Sequence, residues 1–316
     1  MTQTSSTVVF GGSGFLGRHV VRRLARLGGS IRIPTRDLDK ALPLKTAGDV
    51  GQIVPFLSSP RGDAAVARTV AGADTVINLL GILYERGAST FQAVHVEAAA
   101  RIARLAKENG VKNFVHVSAL GADSASRSKY ARSKAAGEEA IRAFFPEAII
   151  LRPSVVFGPE DLFFNRFASM ARFLPVLPLI GGGETKFQPV YVGDVADAVV
   201  AALANPDARG QTYELGGPGV YSFRQLMEII LGAVRRRRCL LPLPWGLAKL
   251  EATFLELLPS PLLTRDQVEL LKVDNTLRDP KSLLFQDLGI TPTALEIILP
   301  TYLDRFRAGG RLGAAD

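Results

Sequence analysis

The chain has 316 residues, which at roughly 150 residues per domain makes about two domains, or one large domain with an appendage. Apolar residues make up 47% and charged residues 22%, close to ordinary globular usage, and a wholly disordered chain is excluded. With 38 basic against 30 acidic side chains the net charge is +8, which suits an anionic partner without choosing among nucleotide, lipid surface and acidic protein.

In the first half, short β-branched runs alternate with helical patterns, which predicts βαβ units and a parallel sheet. Thr7-Val8-Val9-Phe10 reads as the first strand, and Leu16, Val20, Val21, Leu24 and Leu27 as the buried face of the helix after it, stopped by Gly28-Gly29. Further strands are predicted over 30–34, 51–56, 75–80, 114–117 and 148–151, with 75–80 apolar enough for the sheet centre. A helix over 91–109 carries Val94, Ala98, Ile102 and Leu105 on one face. The fold class is α/β, a Rossmann-type doubly wound parallel sheet over 1–160, with a sheet contribution from about 185–215. Prolines cluster beyond residue 160, so 161–306 reads as a smaller, more irregular C-terminal α/β region, and 307–316 as a loose tail. No charge precedes Arg18 and no apolar run approaches ~18 residues, so neither a signal peptide nor a membrane span is expected and the protein reads as cytoplasmic.

Gly11, Gly14 and Gly17 stand between a strand and a helix, the context in which a glycine-rich turn brings backbone against a pyrophosphate and offers it a helix N-terminus. The spacing, GxxGxxG, is one residue wider than the usual fingerprint. Where an NAD-binding protein places an acid for the ribose, Thr35 and Arg36 stand; with Arg18 at the loop, two guanidiniums suit a 2′-phosphate. NADP(H) is preferred on this reading; NAD(H) stays open because Asp37 lies about 20 residues past the last glycine.

Tyr130 and Lys134 lie four residues apart on one helix face, and Ser118 follows the fifth strand at the sheet's ligand-facing end. A phenol becomes a usable proton donor or acceptor when nearby positive charge stabilises its phenolate, and Ser118 would hold a substrate carbonyl for hydride delivery. The alternative is simple packing of a Tyr–Lys pair. Arg152-Pro153 closes the sixth strand where backbone can meet a nicotinamide, and Asp194 reads as a helix N-cap. His19, His95 and His116 are too far apart for short metal-ligand spacing, and no metal is expected.

Arg235 to Arg238 form a run of four cations, followed by the single cysteine, Cys239, which excludes a disulfide framework. A helical pattern then places Leu247, Leu250, Phe254, Leu257 and Leu258 on one stripe. Cations beside an amphipathic helix suit a membrane surface or a partner's groove over 235–258; the alternative is that the stripe packs on the protein's own core. No nucleic-acid module surrounds the run, so no nucleic-acid partner is expected.

GGSGFLGRHVV, AGADTVINLLG, GVKNFVHVSALGAD, YARSKAAGE, AIILRPSVVFGPED and QPVYVGDVADAV, in that order, resemble the extended, atypical short-chain dehydrogenase/reductases over about residues 6–200. PTRDLDKALPLKTAGDVGQIV, FPEAII, FNRFASM, QPVYV and the LPLPWGLAKL to LTRDQVE stretch resemble in particular the nucleotide-binding accessory subunit of respiratory complex I and its bacterial relatives, to about residue 275. That resemblance implies NADPH held in a Rossmann domain, complex I subunits as partners at the inner face of a respiratory membrane, and a role in assembly or stability. It implies Gly11, Gly14, Phe15, Leu16, Gly17, Arg18 and Arg36 as cofactor residues, with Gly81, Tyr130, Lys134 and Pro153 nearer the nicotinamide. Many relatives have an Asp after the third strand to hold adenine, where this chain has Leu57-Ser58-Ser59-Pro60; enzymes of the extended class space Ser and Tyr more widely than Ser118 and Tyr130. The other functional expectation is a stand-alone NAD(P)H-dependent reductase or epimerase-like enzyme acting on a small carbonyl substrate, with Ser118, Tyr130 and Lys134 catalytic.

Overall fold

The β-branched runs and the helices between them alternate along the chain in the computed structural model, which describes residues 5–259, 261–278 and 282–308. β1 (Ser6–Phe10), α1 (Phe15–Arg26), β2 (Ser30–Thr35), α2 (Leu38–Ala41), β3 (Ile53–Leu57), α3 (Asp63–Val70) and β4 (Thr75–Asn78) come first. α4 (Ala98–Glu108), β5 (Asn113–Val117), α5 (Lys129–Phe144) and β6 (Ile149–Pro153) follow. The chain then forms β7 (Val156–Phe157), α6 (Phe163–Phe173), β8 (Val176–Ile180), β9 (Lys186–Phe187), β10 (Val190–Tyr191) and α7 (Val192–Ala204), and returns to the main sheet as β11 (Thr212–Leu215). It ends with β12 (Tyr221–Ser222), α8 (Phe223–Ala233), β13 (Cys239–Leu243), α9 (Trp245–Leu255), α10 (Arg265–Leu270) and α11 (Leu295–Leu303).

The main sheet has seven strands in the order β11-β6-β5-β4-β1-β2-β3, and its pairings from β6 to β3 are parallel. Order reverses beside β1, and there an open α/β sheet leaves its ligand crevice. Val8 and Phe10 of β1 join Val66, Ile102 and Ile141 of α3, α4 and α5 in one apolar layer. Val9 belongs to the opposite face, where α1 buries Val20, Val21 and Leu24. These residues belong to one of two compact units, which comprises the chain to Pro153, Gly193–Glu214 and a stretch ending at Ile290. In this unit Arg152 forms a forked ion pair with Glu138 (2.9 and 2.7 Å) and a longer contact with Glu214 (3.6 Å). The other unit comprises Ser154–Val192, Leu215–Pro280 and the chain from Thr291. Its core gathers Phe157, Phe164, Leu177, Phe223, Ile230 and Leu299.

Several sequence expectations are corrected in detail. Leu27 caps α1 and is 68% exposed, because the buried face of the helix ends at Leu24 and Ala25. The helix expected from residue 91 begins with a π-helical stretch, Gln92–Glu97, before α4 proper. β4 stops at Asn78, whose side-chain oxygen accepts the Leu80 N–H and turns the chain out of the sheet. Asp194 lies within the first turn of α7 rather than at its cap, and there a carboxylate still favours the positive helix end.

The stripe of α9 does not pack on the core. Ala248 and Ala252 are the buried face, and two small side chains let the helix sit close, while Leu247, Leu250 and Phe254 are more than half exposed. Arg236 and Arg238 donate to the carbonyls of Phe306 and Ala171, so half of the arginine run anchors its own unit, and Arg235 and Arg237 face solvent. In the expected tail, Arg307 donates to the Ala233 carbonyl, and residues 309–316 lie outside the described residues.

Arg152→Ala strands the Glu138 carboxylate, only 6% exposed, and is expected to cost about 3 kcal/mol in urea unfolding. The double change Arg152→Met/Glu138→Met is expected to cost less, because the most buried charge is then gone and only Glu214, 12% exposed, loses its longer contact.

Candidate functional site

At the end of β1 the backbone folds back on itself: Gly12 N–H donates to Val9 O and Gly14 N–H to Gly11 O (2.9 Å). Gly11 adopts φ +79°, a left-handed conformation that glycine takes freely. Gly17, in the first turn of α1, lies so close that a Cβ would stand 2.2 Å from Gly11 O. Only a hydrogen there lets the helix meet the turn. Gly14 is the N-cap, with no side-chain acceptor, and no acid stands in the first turn, so the amides of the α1 N-terminus keep their positive potential for an anion.

Beside this turn runs a cleft of about 300 Å³ lined by Gly11, Ser13, Gly14, the Pro34–Asp37 segment, Lys40, Ser58–Arg61 and Leu79–Ile82. Thr35 organises its rim. Its Oγ1 donates to Asp37 O (2.9 Å), accepts the Asp37 N–H (3.1 Å) and lies 3.4 Å from Ser13 Oγ. Asp37 caps α2 and pairs with Lys40 (2.9 Å), and the hydrogen bonds from Lys40 hold its carboxyl below the usual range. Arg36 is exposed and makes no ion pair with a described residue. Arg61 donates to Ala88 O and Ser89 Oγ, tying the 86–89 loop to the cleft.

Of the sequence-predicted cofactor residues, Gly11, Gly14, Arg36 and Gly81 line this cleft. Phe15, Leu16, Gly17 and Arg18 lie just beyond it in the first turn of α1, and Arg18 Nε is buried with no hydrogen-bond partner. Ser118, Tyr130, Lys134 and Pro153 do not line it. Sequence reasoning missed Lys40 and Arg61 as cleft residues; the Asp37-x-x-Lys40 spacing, an N-cap followed by a cation, was the available signal.

Ser118, Tyr130 and Lys134 gather where β5 ends and α5 begins. Ser118 N–H donates to Leu151 O (2.7 Å), while its Oγ is buried without a partner. Lys134, 4% exposed, donates to Val117 O (3.1 Å), and burial lowers its pKa to about 8 despite the opposing charge of Glu138. Tyr130 is half-buried, and the loss of solvent pushes its phenol up to about 12, away from the phenolate that proton transfer needs. Pro153 O accepts the Leu120 N–H (2.8 Å).

His95, from the π-helical stretch, ties these groups to the cleft. Ile82 N–H donates to its Nε2 (3.0 Å), so that nitrogen carries no proton; Nδ1–H therefore donates to Ser133 Oγ (2.8 Å), which donates to Tyr130 O (2.7 Å). The ring stacks on Phe91 and stands edge-on to Tyr130. Burial and Lys134 bring His95 down to about 3, and burial lowers His116 well below its usual range. Gly137 lets α5 approach: a Cβ there would stand 2.2 Å from His95 O. Among the described residues no cluster of His, Cys, Asp or Glu forms a metal site.

A Gly-lined turn that only hydrogen atoms permit, an open helix N-terminus and a cleft with more cations than acids fit a dinucleotide. Sheet and turn together define a Rossmann-type nucleotide-binding protein. The profile of the NAD dependent epimerase/dehydratase family matches residues 7–216, and the chain belongs to that family. It is 40% identical to NADH dehydrogenase (ubiquinone) 1 alpha subcomplex subunit 9, mitochondrial, of Arabidopsis thaliana, covering 96% of this chain and 78% of that protein. The protein of the same name in Mus musculus is 40% identical, covering 95% and 80%. Among solved structures, DesIV, the dTDP-glucose 4,6-dehydratase of Streptomyces venezuelae with NAD bound, superposes with TM-score 0.71 at 20% identity, covering 95% of this chain and 96% of that one.

The buried ammonium has a pH signature. Because its folded pKa lies below its unfolded value of 10.5, the unfolded state binds the extra proton between about pH 8 and 10.5 and wild-type stability rises through that window. Against wild type, Lys134→Met is expected to lose about 3 kcal/mol of relative stability from pH 8 to 10.5, read by urea unfolding at each pH.

Proposed function

We propose that this chain is an NADP(H)-binding accessory subunit of a respiratory complex I, with the cofactor as a structural or sensing element. The observation that carries this reading is an exposed apolar surface on α9 and the turn after it: Leu247, Leu250 and Phe254 of the helix and Leu257 and Leu258 just beyond it are exposed, and Arg235 and Arg237 of the same unit face solvent. An exposed apolar surface of this kind is costly in water and is covered by a partner or a membrane surface, and exposed cations in the same unit suit either. The near full-length identity to relatives named as subunits of that complex supports the same partner. No helix among the described residues is long and apolar enough to cross a membrane; the attachment in this reading is peripheral, on the cytoplasmic or matrix-like face. In this reading the cleft serves as follows. Gly11 and Gly14 in the cleft, with Phe15, Leu16 and Gly17 of the first turn of α1, receive the pyrophosphate, Arg18 and Arg36 take the phosphate charges, and the nicotinamide extends past Gly81 out of the cleft toward Tyr130, Lys134 and Pro153. A bound ligand that avoids the unfolded state stabilises the fold by about 2.7 kcal/mol at 100 times its dissociation constant.

Two measurements test this. In native separation of mildly solubilised membranes the chain should migrate with a large NADH-oxidising assembly, and Leu250→Asp/Phe254→Asp should release it as a small species. Arg36→Asp should weaken NADPH about a hundredfold and NADH far less; equal losses would refute the phosphate assignment.

The buried, unpartnered Ser118 hydroxyl favours a second reading, a stand-alone NAD(P)H-dependent reductase or epimerase-like enzyme. The bound dinucleotide would supply a hydride donor, Ser118 would hold the carbonyl, Tyr130 would give the proton, and Lys134 would supply positive charge beside it. Tyr130→Phe should then keep NADPH binding and abolish turnover of a small carbonyl substrate; a panel on which wild type is inactive sinks this reading.

A further inference from the structure

The rim of the cleft carries one carboxylate, Asp37, two residues past Thr35, where an acid takes the ribose hydroxyls of a dinucleotide without a 2′-phosphate, and about 20 residues past the last glycine, the usual distance for that acid. A free carboxylate there would attract NADH and repel NADPH. Asp37 is not free. Thr35 brackets its backbone on both sides, at 2.9 and 3.1 Å, which fixes where its side chain starts. Both carboxylate oxygens then turn to a single residue: Oδ1 accepts the Lys40 N–H (3.4 Å) and Oδ2 meets Lys40 Nζ (2.9 Å). The pair is exposed, with Lys40 74% and Asp37 43% accessible, so it adds little to stability. Its place matters more than its strength. Both residues line the same cleft as Gly11 and Gly14, and Arg36 stands between Thr35 and Asp37 with no ion pair to a described residue. We infer that Lys40 is a specificity-determining residue, which occupies the Asp37 carboxylate and so leaves Arg36 to set the cleft's preference for a 2′-phosphorylated dinucleotide.

The inference rests on the NADP(H) reading above and adds to it how one chain carries both an NAD-type acid and a phosphate-type arginine without conflict. Removing Lys40 leaves Arg36 in place and unmasks an acid next to it. A unit charge a few ångströms from a ligand charge in a wet cleft is worth on the order of tenfold in binding.

The test is a thermodynamic cycle on the full chain, with NADPH and NADH titrated separately by calorimetry into wild type, Lys40→Met, Asp37→Asn and the double variant. Lys40→Met should weaken NADPH, strengthen NADH and move the ratio of their dissociation constants about tenfold toward NADH. In the Asp37→Asn background the same change should move the ratio little. An equal loss of NADPH affinity in both backgrounds would overturn the inference, because Lys40 would then touch the phosphate itself. An unmoved ratio in both would overturn it too. The NADP(H) reading is judged apart, by the wild-type ratio: a wild type that prefers NADH refutes that reading, while the cycle still reports whether Lys40 masks Asp37. Ligand-free melting of each variant separates loss of the α2 cap from loss of specificity.

Discussion

The contact between Gly17 and the Gly11 carbonyl is the constraint on which the site depends. Backbone meets backbone there, with no room for a methyl group, so α1 is held against the end of β1 and its amide-rich N-terminus opens at the sheet's reversal point. Every other feature of the cleft is set relative to that docking. Ser13 reaches Thr35 across the gap between β1 and β2, Thr35 fixes the turn that carries Arg36 and Asp37, and Leu79–Ile82 close the opposite wall. A second tight approach, Gly137 against the carbonyl of His95, does the same for the far side, where α5 brings Tyr130 and Lys134 against the end of β5.

The two sides differ in character. The cleft side is wet and cationic, and its side chains are poised for an anion. The side of Ser118 and Lys134 is buried and Tyr130 half-buried, and burial works against the chemistry their residue types advertise: it raises the phenol and lowers the ammonium beside it. A Tyr-x-x-x-Lys spacing is therefore compatible with a protein that holds its cofactor more readily than it spends it.

Much of this was legible in the sequence because it is periodic or local. The strands of the main sheet follow β-branched runs, Gly28-Gly29 end α1 in left-handed conformations, and the glycine triplet lies where strand meets helix. What the sequence hid depends on neighbours distant along the chain. Leu247, Leu250 and Phe254 look like a core stripe by period alone; only the packing of Ala248 and Ala252 shows which face is inward. Arg236 and Arg238 look like solvated charge until their carbonyl acceptors, 70 and 67 residues away, are placed. His95 is a lone histidine in sequence and becomes a bridge only when Ile82, Ser133 and Tyr130 surround it. The π-helical stretch that presents it has no sequence period of its own.

The fixed tautomer of His95 has a consequence for how the protein perceives its surroundings. With His95 neutral down to about pH 3, His116 depressed well below its ordinary range and Lys134 charged until about pH 8, none of these three buried bases changes protonation across the acidic and neutral range. A protein stationed where proton concentration fluctuates would thus have a site floor that is deaf to those fluctuations. Over that range the protonation of these buried bases is a fixed background.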